Sequence, residues 1–359
     1  MPTERARRST RWLIPSAVAI GALIVSAAPA VACGGLVGVN GTIKLTRTTT
    51  LAAYHNGLER YVTAFDFSGA GKEVGSIVPL PGVPSKVQRG GNWTLQRLER
   101  EVAPPFFAAA GVSHAARAAD RVQVLQQTTV DALDITILKG GGTAVGTWAT
   151  DHGFLLPADA PEMLDFYARR SPIFMAARFN AARAQRLGQN SGDGTPIMLT
   201  IPTTRPWVPL RILGLGLDKG RVINADVFLL TDQRPNLLAG GPGLTLGRDE
   251  QANASLLSDL RIDKGMSWVP AQMWFTYLRL QVPAGQLDYD LAVSVKPHSV
   301  PSLTDAGVTA PAAHVVRVNP ANTKRALWPL GIAGGVGIAT FALGGLFGKR
   351  RRGYAGVPV

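Results

Sequence analysis

Cysteine is almost missing from this sequence: Cys33 is the only one in 359 residues. A lone cysteine excludes an internal disulfide and every zinc motif built on cysteine pairs. Histidine is scarce as well. His55, His114, His152, His298 and His314 never fall at ligand spacing from one another, so no histidine-based metal centre is legible. Asp131 with Asp134, Asp288 with Asp290, and Asp193 in its glycine loop lack the alternating oxygen ligands of a calcium loop. They read as solvated turn residues. Acidic charge is also low, with 24 Asp and Glu against 37 Lys and Arg and a net charge of +13. Such basicity invites a nucleic-acid partner, but its distribution argues against one. The first 32 residues hold a net +3 and the last eleven a net +4, which leaves +6 over almost three hundred residues. Disorder is excluded in turn, since hydrophobic residues make up 46% and the chain is long enough to bury a real core.

What is present speaks first about address. Arg5, Arg7, Arg8 and Arg11 precede an uncharged run from Trp12 to Ala28, and Ala30-Val31-Ala32 supplies small residues before a cleavage point. Residues 1–32 therefore read as a secretory signal peptide, whether exported by the general or the twin-arginine route. Cys33 would then stand at or beside the mature N-terminus. It is a candidate for lipidation, although Ala30-Val31-Ala32 matches a lipobox only loosely, and a plain N-terminus is the other reading. Residues 326–348, ALWPLGIAGGVGIATFALGGLFG, carry no charge and have the length of a bilayer span. Lys349 to Arg352 follow directly, so the positive-inside rule places the tail, 349–359, in the cytoplasm and the bulk of the chain outside. Gly331 and Gly335, and Gly344 and Gly348, are spaced for close approach of two such helices, hence possible self-association.

Between these ends, residues 42–67 read as two strands around Asn56-Gly57, the strongest short hairpin signal. GSIVPLP follows as a short strand that Pro79 and Pro81 stop. Residues 92–102 form a helix with Asn92 as N-cap, and the second half of 106–127 reads as helical. A strand at 131–139 leads through three glycines into another helix, and a further helix at 160–170 precedes the strand IFMAARF. PIMLTIP, PLRIL, RVINADVFLL, QMWFTYLRLQV and LDYDLAVSV then read as strands. The fold class expected is α+β, antiparallel and β-rich at both ends with a helical middle, plus one C-terminal transmembrane helix. One outer domain spans 33–295, and the Pro/Ala/Thr-rich stretch 296–325 reads as a stalk.

Catalytic motifs do not survive inspection. GVSHA (111–115) approaches a nucleophile elbow but has no strand before it and Ala115 in the final position. Leu213 to Gly220 carries glycines at the wrong spacing for a dinucleotide site, and LKGGGTAV lacks the Lys-Ser/Thr pair of a phosphate loop. No cofactor is implied. Trp207, Trp268 and Trp274, with Tyr277, are core candidates first, and candidates for contact with a glycan or protein partner if exposed together. Pro79 and Pro81 are candidates for the same role.

The stretch Val74-Gly75-Ser76-Ile77-Val78-Pro79-Leu80-Pro81, after the start Cys33-Gly34-Gly35, resembles the bacterial extracytoplasmic proteins grouped as domain of unknown function 2330. DALDITILKGGG, TWATDHGF, DFYARRSPIFMAARF and TIPTTRPWVPLRIL extend the resemblance to about Val295. Gly75-Ser76 stands where the family usually has a bulky aromatic, and the second early cysteine common in relatives is missing here. The resemblance implies an exported domain, often with a carboxy-terminal membrane helix, and transfers no catalytic residue. Three functions are therefore expected to compete: a membrane-anchored binding or structural module of the envelope, an envelope hydrolase with paired carboxylates, and an accessory subunit of a membrane complex.

Overall fold

The computed structural model describes residues 35–38, 48–64, 74–103, 122–189, 195–239, 241–296 and 299–308. The Asn56-Gly57 signal produces the hairpin it predicts. Both residues take positive φ, 52° and 75°, the backbone of a two-residue turn that matches strand twist. They join β2 (Thr48–His55) to β3 (Leu58–Ala64), with β1 (Gly35–Gly38) preceding them. Next come β4 (Val74–Pro79), β5 (Lys86–Arg89) and α1 (Thr94–Val102). Then follow β6 (Gln123–Val130), β7 (Leu133–Lys139), α2 (Gly142–Asp151), α3 (Ala160–Ala168), β8 (Ile173–Phe179) and α4 (Ala181–Arg186). The remainder is β9 (Pro196–Pro202), β10 (Trp207–Val208), β11 (Val222–Thr231), β12 (Asn236–Ala239), β13 (Leu244–Gln251), α5 (Ala254–Ile262), β14 (Trp274–Pro283) and β15 (Leu291–Ser294).

These strands form a seven-stranded sheet in the order β13-β14-β11-β2-β3-β9-β5, a five-stranded sheet β1-β4-β8-β7-β6, and a small sheet β10-β15-β12. Pairing is antiparallel throughout except between β11 and β2. Strand alternation decides what goes where, because successive side chains point to opposite faces. Ala52, Tyr61, Val227 and Leu278 of the large sheet meet Val78, Ile135, Ile137 and Met175 of the five-stranded sheet in one core. The opposite face of the large sheet, Leu51, Val62, Phe228 and Leu230, is covered by Leu95 and Leu98 of α1 and Leu256, Leu257 and Leu260 of α5. Val145 and Trp148 of α2 and Leu164 and Tyr167 of α3 cover Ile77, Leu138 and Phe174 on the outer face of the five-stranded sheet. The result is four layers, helix–sheet–sheet–helix. Each large apolar side chain buried this way contributes about 1.5–3 kcal/mol.

Three expectations need correction. Among the described residues the protein is mostly β with five short helices, rather than α+β with a helical middle. The middle carries β6, β7 and β8, and its helices α2 and α3 only cover that sheet. Residues 123–127, expected to be helical, start β6, because pairing with β7 outweighs local propensity. No described helix is long and apolar enough to cross a membrane, so the expected fold class with a C-terminal transmembrane helix does not stand. Residues 326–348 themselves, with Gly331, Gly335, Gly344 and Gly348, lie outside the described residues, as do residues 1–32 and Cys33.

Local detail departs from expectation in two further places. Asn92 does not cap α1. The cap comes from Asp263, distant in sequence, which accepts the N–H groups of Asn92 (2.9 Å) and Trp93 (3.0 Å) and the hydroxyl of Thr94 (2.8 Å). PLRIL is no strand but contains a short 3₁₀ turn at Arg211–Gly214. Pro79 is the last residue of β4. There β1 no longer overlaps, since its pairing ends at Ile77, and a residue without an N–H is tolerated.

Candidate functional site

Asp290 is the fixed point around which a cleft is organised. It lies just before β15 and is fully buried. Its carboxylate accepts the Tyr167 hydroxyl at 2.8 Å and the N–H groups of Leu210 and Arg211 at 2.7 and 3.0 Å, and it pairs with the Arg170 guanidinium. The Tyr167 oxygen accepts the Ile212 N–H at 2.9 Å. Burial, then the charge of Asp290, pushes the Tyr167 phenol well above its ordinary range, so it stays a donor. A buried carboxylate is tolerated only with its lone pairs satisfied. Satisfying them takes the N–H groups of residues 210 and 211, which a strand would have needed.

Arg170 extends just beyond α3 and is held from several sides. It donates to Asp290 and, at 2.5 Å, to the Asp305 carbonyl. Its guanidinium carbon lies 4.1 Å from the centroid of the Trp207 ring. The Tyr167 ring stacks on Trp207 as well, at 5.7 Å and 13° between planes. Residues 299–308 fold against this group rather than away from it, with Ala306 buried and its carbonyl accepting the Asp290 N–H.

Above this floor opens a cleft of about 620 Å³, within the usual range for ligand sites. Four cations line it, Arg169, Arg170, Arg205 and Lys296, against the single carboxylate of Asp305. Hydroxyls of Thr203, Thr204, Ser294, Ser299 and Thr304, with Pro81, Val300 and Pro301, complete its walls. Asp305 is already engaged, accepting the Ser302 hydroxyl at 2.6 Å and N–H at 2.8 Å. Burial raises its pKa, but these bonds and nearby Arg205 outweigh that and hold it below the ordinary value.

A second cleft of about 560 Å³ is lined by Asp159, Glu162, Asp218 and Asp288 with Arg211 and Lys219. Two of its carboxylates are engaged: Glu162 pairs with Arg211 at 2.6 Å, and Asp159 takes the Gly216 N–H. Among the described residues no cluster of three or more His, Cys, Asp or Glu could hold a metal ion.

The aromatic and proline candidates separate in space. Pro81 and Trp207 line the same cleft, with Trp207 6% exposed. Trp268 packs on the α1–α5 side beneath Arg60, whose guanidinium carbon is 4.3 Å from its ring. Trp274 donates to Asp249 at 2.6 Å beside Arg234. Tyr277 is buried and donates to Asp226 at 2.6 Å. Arg169, Arg170, Arg205, Lys296 and the organising Asp290 were not singled out by sequence as a site. The available signal was the cationic pair in DFYARRSP and the arginine in TIPTTRPW.

Two packed, largely antiparallel sheets faced by short helices, with one cation-lined polar cleft, define the class as a β-rich two-sheet domain. The chain belongs to the bacterial family DUF2330, described as an uncharacterized protein conserved in bacteria, whose model matches residues 27–234. That match includes Pro81, Arg169, Arg170, Arg205 and Trp207 and ends before Asp290. No curated protein matches the chain. Among solved structures, baculovirus P35 is similar at 9% identity and a TM-score of 0.37, over 71% of this chain and 98% of that one. P35 in complex with caspase-8 gives 7% and 0.33 over 69% and 96%. A mutated P35 after caspase cleavage gives 8% and 0.32 over 69% and 99%. Scores of this size carry no argument about function.

Proposed function

We propose that this protein is an exported module of the bacterial cell envelope that binds, rather than transforms, a ligand held in the cleft around Arg170 and Trp207. The observation that carries this reading is the arrangement of Arg170. It is fixed by Asp290, the Asp305 carbonyl and the Trp207 ring before any ligand arrives. Preorganised polar groups at the base of an open cleft favour binding, because little order remains to be imposed. The arginine-rich leader and small-residue cleavage site of residues 1–32 support export, and an envelope address supplies the ligand.

Co-sedimentation of the full-length protein with isolated bacterial envelope fragments tests the reading. Saturable binding is expected, and its absence would overturn the proposal. Protease shaving of intact cells checks the address, with loss of the domain expected before cytoplasmic markers are cut.

A further inference from the structure

The ligand's chemistry follows from how the cleft's charges are already used. We infer that the cleft takes an acidic, hydroxyl-bearing polymer of the envelope, recognising its phosphate or carboxylate groups through Arg169, Arg205 and Lys296. This rests on the binding reading given above and deepens it.

Arg170 is balanced by buried Asp290 and serves as a fixed floor. The positive charge left for a ligand sits on the other three cations. Arg169 is 68% exposed, and its partner Asp165 lies at 3.8 Å within the same helical stretch, a spacing and exposure at which an ion pair contributes little. Arg205 is 82% exposed and stands 3.6 Å from one oxygen of Asp305, whose other oxygen already serves Ser302. Such rim charges stabilise the fold weakly, so they are free to be redirected to an incoming anion, where charge-assisted hydrogen bonds are stronger than neutral ones.

A neutral glycan is the obvious competitor, and the geometry disfavours it. Proteins hold neutral sugars largely by laying a ring face on an exposed aromatic. Here the Trp207 ring is covered by the Arg170 guanidinium and stacked against Tyr167, which leaves it 6% exposed. Trp207 is part of the floor and offers no free platform. What remains accessible is mainly cationic or hydroxyl-bearing, with Val300 the exposed apolar side chain at the rim, which matches a chain carrying both anions and alcohols.

The test is titration of the full-length protein with three probes: inorganic polyphosphate, polygalacturonate and neutral dextran. Binding to at least one anionic polymer is expected, weakening as salt rises, with none to dextran. The two polyanions separate a phosphate source from a carboxylate source. Arg205→Glu and Lys296→Glu should each lower affinity about tenfold or more, whereas Arg248→Glu, on distant β13, should not. Thermal melts of all three variants should stay near wild type, because the altered side chains are exposed. Equal loss in all three variants, no loss in the cleft variants, or equal binding of dextran would overturn the inference. So would binding to neither polyanion. Envelope co-sedimentation that persists in such a case shows that the ligand class failed and the binding module stands.

Discussion

Arg170 and Asp290 form an ion pair between positions 120 residues apart, with the carboxylate wholly buried and the guanidinium 14% exposed. The pair joins the end of α3 to the entry of β15 and sets the floor of the cleft. Removing one partner of a buried pair costs about 3–5 kcal/mol, because the other charge is left uncompensated. Asp290→Ala also strips acceptors from Tyr167, Leu210 and Arg211. Urea denaturation should therefore show a loss of that size, and Arg170→Met should cost less in the wild type than Asp290→Ala. In the double variant the two losses should fall well short of additive. A fully additive double variant would mean that the two residues act independently.

Helix α1 depends on a distant carboxylate. Its N-cap residue, Trp93, makes no side-chain cap, and Asp263 does that work. Burial raises the pKa of Asp263, but hydrogen bonds from Trp93, Thr94, Asn92 and Lys264 outweigh this and hold it below its ordinary value. A lowered carboxylate pKa stabilises the fold above the unfolded value, about 3.9, and the benefit fades as pH falls through the folded value. Asp263→Asn should cost about 1–2 kcal/mol at pH 7. The gap to wild type should narrow as pH falls below the unfolded value. Equilibrium unfolding followed across pH 2.5 to 7 measures both.

How much of this was legible depends on how local the cause was. The Asn56-Gly57 hairpin and β8 at 173–179 were readable because turn chemistry and strand alternation act within a few residues. The α1 cap was misassigned to Asn92, since nothing near position 92 announces a carboxylate at 263. The cleft was hidden for the same reason. It is built from Pro81, Arg169–Arg170, Thr203–Trp207 and the segment after β15, four pieces that only the sheet packing brings together. Asp290 read as a solvated turn residue, and its burial shows only when α3 and the 210–214 turn close over it.

Glu59 presents a different electrostatic problem. It sits opposite Tyr54 of β2 and Ile201 of β9 in the large sheet, fully buried, and neither carboxylate oxygen has a hydrogen-bond partner. Burial alone pushes its pKa up to about 8, so it is protonated at neutral pH. The unfolded chain releases this proton near pH 4.3, so stability falls as pH rises from there to about 8 and then levels off. The total fall is on the order of 5 kcal/mol at about 1.4 kcal/mol per unit. Glu59→Gln should remove that slope. It should gain on wild type steadily between pH 5 and about pH 8 and hold that gain above it in denaturant midpoints, while a constant offset would contradict the buried acid.

The last prediction returns to GSIVPLP. A Cβ placed on Gly75 would overlap the Phe154 ring, and Phe154 is itself buried in the core that α2 and α3 share with the five-stranded sheet. The space that a large side chain at 75 would need is thus filled from the loop after α2. Gly75→Val should destabilise by about 1–3 kcal/mol or more through overpacking. Phe154→Ala alone should cost about 3–5 kcal/mol by leaving a cavity. Combined, the two should recover part of the loss, because the new side chain enters the vacated volume. Thermal denaturation of the four proteins in this cycle reads the coupling, and a double variant no better than the sum of its parts would show that Phe154 is not what keeps position 75 a glycine.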